Sequence, residues 1–106
     1  MKPLSQTLSS LVVLTEELLA RPLLDPRSIA PRFAAIAADV RAAEARPAEG
    51  IRTTSAALVT VTAIEEYRHA ANERAPMWLM LIGATLPLLR AAAFDALSEE
   101  RQGRDA

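Results

Sequence analysis

The chain has 106 residues, thirteen acidic and twelve basic, for a net charge of -1. That length fits one domain, and the absence of cysteine excludes a disulfide framework, a thiolate metal site and a thiol nucleophile. The eleven arginines are scattered from Arg21 to Arg104 rather than gathered into a block, so the concentrated positive face that phosphate backbones require is missing and direct nucleic-acid binding is not expected.

Twenty-two alanines against three glycines and four aromatic residues favour helix, because alanine loses no side-chain freedom when a helix forms. The expected fold class is all-α: a small bundle of about four helices over residues 1–97, followed by a frayed polar tail at 98–106. A domain of this size buries only about two-thirds of its unfolded surface, so homodimerisation is expected to complete the bundle. The start of the chain, Met1-Lys2-Pro3-Leu4 with Ser5, Thr7, Ser9 and Ser10, lacks the apolar core of a signal peptide, which makes the cytoplasm the expected location.

Leu4, Leu8, Leu11, Thr15 and Leu18 recur at spacings of four and three, with Val12 and Leu19 widening the stripe, and predict an amphipathic helix over 4–20. Ser5, Gln6, Ser9, Ser10, Glu16, Glu17 and Arg21 fall on its polar face. Two prolines in Arg21-Pro22-Leu23-Leu24-Asp25-Pro26-Arg27 stop it. Ser28 is a candidate N-cap for a second helix, with Pro31 in the first turn and Ile29, Phe33, Ile36, Val40 and Ala43 as a narrow seam. Arg46-Pro47-Ala48-Glu49-Gly50 ends that helix.

A third helix is expected from Ile51 to Arg74. Leu58-Val59-Thr60-Val61-Thr62 alternates as a strand would, but no second alternating segment exists to pair with it. Its weak seam is Thr53, Ala57, Thr60, Ile64, Tyr67 and Ala71; Glu65, Glu66, Arg68, His69, Asn72 and Glu73 share the other face. Pro76 then opens a fourth helix, with a kink or break expected at Pro87, whose ring opposes the carbonyl of Gly83.

Residues 75–89 carry no charge and are bounded by Arg74 and Arg90. Fifteen such residues, with Pro87 among them, fall short of the roughly twenty a membrane span needs, and a helix apolar on every side needs cover all round. An interface with a second subunit or a protein partner is therefore favoured over a monomer core or an anchor. Its expected residues are Leu8, Leu11 and Leu18 on the first helix and Met77, Trp78, Leu81, Leu86 and Leu89 on the fourth.

Neither catalysis nor a metal or other cofactor is expected. Glu66-Tyr67-Arg68-His69 has the Glu-x-x-His spacing of di-iron bundles, yet a complete site needs a second such pair and further glutamates, and His69 is the sole histidine. No nucleophile elbow or phosphate-binding glycine loop is present. The adjacent acids Glu16-Glu17 and Glu99-Glu100 point in different directions on a helix and read as solubilising charges.

A Leu14-Thr15 pair after an apolar stretch, a proline-bearing turn, a long second helix, and His69-Ala70 followed fourteen residues later by Gly83 and then by Pro87 complete the pattern. In element order it resembles the TraM-type quorum-sensing antiactivators of conjugative plasmids. The resemblance implies a helical, dimeric, non-catalytic regulator that binds a LuxR-type transcriptional activator and keeps it off its DNA operator. It would make the first and fourth helices the natural surfaces. Two alternatives stand beside it: a generic helical adaptor or inhibitor of a phage or plasmid with another protein target, and a small membrane-associated protein anchored by residues 76–89.

Overall fold

The computed structural model describes the backbone at residues 3–21, 26–44, 51–70 and 73–105, and side chains at 3–21, 29–44, 55–70 and 73–103. Residues 22–25 of the first expected connector, all of the second at 46–50, and Ala71 and Asn72 of the expected third helix lie outside the described residues. Four helices follow in order: α1 (Leu4–Ala20), α2 (Pro26–Glu44), α3 (Ile51–His69) and α4 (Ala75–Asp105). All described regular structure is helical, including the alternating segment 58–62.

Each helix packs mainly on two others. α1 lies against α2 and α4, and α3 lies against α2 and α4, which closes a ring around one apolar core. The α1 stripe is buried from Leu4 to Leu18, joined by Leu14. The α2 seam Ile29, Phe33, Ile36, Val40 and Ala43 is buried throughout, with Ala37 beside it. From α3 come Ala57, Val61 and Ile64, and from α4 Ile82, Leu89, Ala92 and Ala96.

Hydroxyls inside this core are satisfied locally. Thr15 Oγ1 donates to the Leu11 carbonyl at 2.7 Å, Thr60 Oγ1 to that of Ala56 at 3.0 Å and Thr85 Oγ1 to that of Ile82 at 2.8 Å. Each threonine thereby presents its methyl group to its neighbours. That is how a threonine-rich α3 enters a core without an unsatisfied donor.

The helix ends depart from sequence expectation in three places. α2 starts at Pro26, whose fixed φ suits a first helical position, so Ser28 is inside the helix and Pro31 lies in its second turn, where it removes one backbone bond. α3 stops at His69, short of Arg74; the Ala70 N–H turns back onto the Tyr67 carbonyl at 3.3 Å, and the Arg74 carbonyl accepts from Met77 and Trp78 to open α4. α4 runs without a break through Pro87 and includes residues 98–105, which the sequence assigns to a frayed tail. Pro87 is exposed and Gly83 half-exposed, so the carbonyl deprived of its partner lies where water can reach it.

The long α4 has a structural purpose at its far end. α1 begins after Pro3, which offers no side-chain cap. Glu100 supplies one from α4: its Oε1 accepts the Ser5 N–H at 3.0 Å and its Oε2 accepts the Ser5 hydroxyl at 2.6 Å. A carboxylate at a helix N-terminus also meets the positive end of the helix dipole. Ser5 is consequently buried rather than on the polar face. Glu100→Ala is expected to cost about 1 kcal/mol, typical for loss of an N-terminal cap, read as a fall in thermal midpoint by circular dichroism. An unchanged midpoint would mean that the contact adds nothing in solution.

Candidate functional site

α3 and α4 form an antiparallel pair: Thr62 and Ala63 lie near Trp78 and Leu81, while Ser55 and Ala56 lie near Ala92 and Asp95. Along the outer side of this pair runs an open groove. Leu58, Val59 and Thr62 form one wall, and Trp78, Leu81 and Leu88 the other. It continues past Leu88 to Ala91 and ends at Asp95. Leu88 is 65% exposed, Val59 57%, Met77 49% and Leu81 44%. Burial of a leucine or methionine contributes about 1.5–3 kcal/mol, so leaving this many at one surface forgoes several kcal/mol in the lone chain.

The helical phase of α4 explains the groove. One heptad-like seam, Trp78, Ile82, Thr85, Leu89, Ala92 and Ala96, faces inward at spacings of four and three, and all of it is buried except the half-buried Trp78. A second seam, Arg74, Met77, Leu81, Ala84, Leu88, Ala91 and Asp95, repeats three-four throughout, and all seven residues are exposed. An apolar stripe of strict 3.5-residue period is the pattern with which one helix meets another. α1 and α3 cover the first seam; among the described residues none covers the second.

Leu8, Leu11, Leu18, Leu86 and Leu89 do not lie on a surface: the first, second and fifth are fully buried, Leu18 is 1% exposed and Leu86 9%. Their neighbours within a single copy shelter them, because α2 and α4 close over α1 from two sides. Trp78 and Leu81 do line one end of the groove, and the exposed Met77 lies one turn before Leu81 on the same face of α4. Val59, Leu88, Ala84 and Ala91 are site residues that the sequence reading does not single out. The signal was present as the second three-four seam, hidden because residues 75–89 are apolar in every direction. Met80, one turn before Ala84, and Phe94, one turn after Ala91, border this seam on α4 and are also largely exposed.

Among the described residues no group of three or more histidines or acids is positioned to hold a metal ion, and Glu66 and His69 are both exposed. Arg68 is not on a solvated face: its guanidinium lies over the Phe33 ring, 5.3 Å from the centroid, a cation–π contact between α3 and α2.

Surface ion pairs tie the helices together: Arg32 with Glu17 at 2.6 Å, Arg90 with Glu16 at 3.3 Å, and Arg41 with Glu65. The hydrogen bond from Arg32 holds the Glu17 carboxyl below the usual carboxylate range against the opposing effect of desolvation, helped by the charges of Arg32 and Arg21. A depressed folded-state pKa favours folding above the unfolded-state value and loses that contribution as pH falls through the folded one. Acid titration of the melting temperature is therefore expected to be shallower in Arg32→Ala than in the parent, over the acid side of pH 4.5, and the difference to shrink in high salt.

No protein-family model, curated protein or solved structure matches the chain. The groove is accordingly read from its own geometry.

Proposed function

We propose that this chain is a non-enzymatic, protein-binding regulator that works as a homodimer. The observation that carries the reading is the α3–α4 groove, where Val59, Leu81 and Leu88 are each between 44% and 65% exposed along a continuous apolar strip. Ordinary surfaces scatter their apolar side chains; a contiguous strip with a polar margin is the mark of an association site. The strip offers no set of side chains able to move a proton or form a covalent intermediate.

The narrower form of the proposal follows the resemblance to TraM-type antiactivators: the target is a LuxR-type transcriptional activator, which the chain sequesters from its operator. Its test is co-expression with such an activator, followed by operator binding in a mobility-shift assay. Loss of the shifted band with the parent chain, and its return with Leu88→Asp, is the expected result. An undiminished shifted band removes the antiactivator and leaves a helical adaptor or inhibitor with another protein target.

One observation favours a second reading. Ala75–Gly103 of α4 is long and apolar enough to cross a bilayer, and only 22% of its most apolar window is buried within the fold. Against it, α4 gives its inward seam to α1 and α3, and Arg90 and Asp95 interrupt the apolar surface. Retention in the membrane pellet after a high-salt wash would replace the soluble regulator with an anchored protein.

A further inference from the structure

We propose that the groove receives a second copy of this chain, with α4 packed antiparallel to the partner's α4 about a two-fold axis at Ala84. This rests on the reading of the groove as a protein-binding face and names its occupant.

The outward seam is self-complementary about its centre. Counting from Ala84, Leu81 and Leu88 stand three residues before and four after, Met77 and Ala91 seven on either side, and Arg74 and Asp95 ten before and eleven after. An antiparallel mate therefore sets Leu81 against the partner's Leu88, Met77 against the partner's Ala91 and Arg74 against the partner's Asp95. The symmetry repeats each contact. Alanine at the axis lets the two helices approach closely, and each leucine of one helix inserts beside the leucine of the other, as side chains do in antiparallel helix pairs.

Charge decides the direction. In a parallel arrangement Arg74 would meet the partner's Arg74 and Asp95 the partner's Asp95, which is repulsive at both ends. The antiparallel arrangement makes two opposite-charge pairs instead. Glu73 sits beside Arg74 in the turn before α4, while Glu99, four residues beyond Asp95 on the same face of the helix, adds a second acid where the partner's Arg74 arrives. The size also suits a dimer. The eighteen residues from Trp78 to Asp95 span about 26 Å, and two helices side by side are about 20 Å wide, a footprint of the order that a standard interface of roughly 800 Å² per partner occupies. A face shared by two helices of each copy turns four exposed apolar strips into one four-helix layer.

Sedimentation equilibrium with two charge reversals tests this. Arg74→Asp and Asp95→Arg, each alone, put like charges together twice and are expected to weaken the dimer about tenfold or more. Mixed in equal amounts, the two variants pair Asp with Arg at both ends, and the parent affinity returns in the heterodimer. Both positions are exposed, and aspartate suits the residue that opens α4, so unchanged helical circular dichroism checks that each variant folds. A parent chain that sediments as a monomer, or a dimer indifferent to both reversals and to their mixing, overturns the proposal. The operator assay above reads the parent proposal separately. A monomer that still strips an activator from DNA sinks the two-fold α4 pairing alone, and a dimer obeying the charge rule without such activity sinks the antiactivator alone.

Discussion

Phe33→Ala is expected to lower the unfolding free energy by about 3–5 kcal/mol, the usual cost of emptying an aromatic site in a core. Phe33 is 2% exposed and is the largest of the fully buried side chains. It stands on α2, which packs less extensively against α1 and α3 than α4 does against the same two helices. Removing the ring also strips the Arg68 guanidinium of its only face-on partner among the described residues, a contact worth about 0.5–1 kcal/mol at partly exposed sites. Domains of ordinary stability have about 5–15 kcal/mol in total, so this loss is a large fraction of the whole. Urea denaturation followed at 222 nm is the measurement. A loss below about 1 kcal/mol would mean that α2 is not docked by this side chain.

The second large effect separates folding from association with two adjacent leucines. In the proposed dimer, Leu88→Asp is expected to weaken self-association at least a hundredfold, because two symmetry-related leucines would be lost from the centre of the face and about 1.5–3 kcal/mol accompanies each. Leu88 is 65% exposed, so the helical signal and melting of the dilute monomer should stay within about 0.5 kcal/mol of the parent, as for other surface changes. Leu89→Asp, one residue on, places a carboxylate at a position with no exposure at all and should leave no folded chain, since an unpaired buried charge outweighs the whole stability. Sedimentation and calorimetry on the two variants make the comparison. If Leu88→Asp melts like Leu89→Asp, the groove is part of the core and not an open face.

Particular residues show why one helix was easy to read and another was not. In α1 and α2 the apolar residues occupy one stripe and polar residues the remainder, so Leu4 to Leu18 and Ile29 to Ala43 could be assigned to an interior from spacing alone. In α4 the run from Met77 to Leu89 is apolar in all directions. A periodicity needs contrast, and without polar residues between them the inward and outward seams could not be distinguished. Leu86 and Leu89 were consequently grouped with Met77 and Leu81, although the fold buries the first pair and exposes the second. Leu8, Leu11 and Leu18 are the opposite case: their spacing defines the stripe, but whether another helix of the same chain or a second molecule covers it is a question of tertiary partners.

The cap between Ser5 and Glu100 joins residues ninety-five positions apart, and no local rule connects them. Glu100 reads as a solvated tail charge until α4 is known to continue past Pro87 and bring it beside the start of α1.

Local chemistry thus determined the helices, their count and most inward faces of α1, α2 and α3, because alanine content, proline breaks and the 3.6-residue period act within a few residues of one another. Only the tertiary structure decided which apolar stripes cover each other. Burial depends on helices distant in sequence: α1 and α3 shelter one seam of α4, and the packing ring closes with the seam from Arg74 to Asp95 still facing outward.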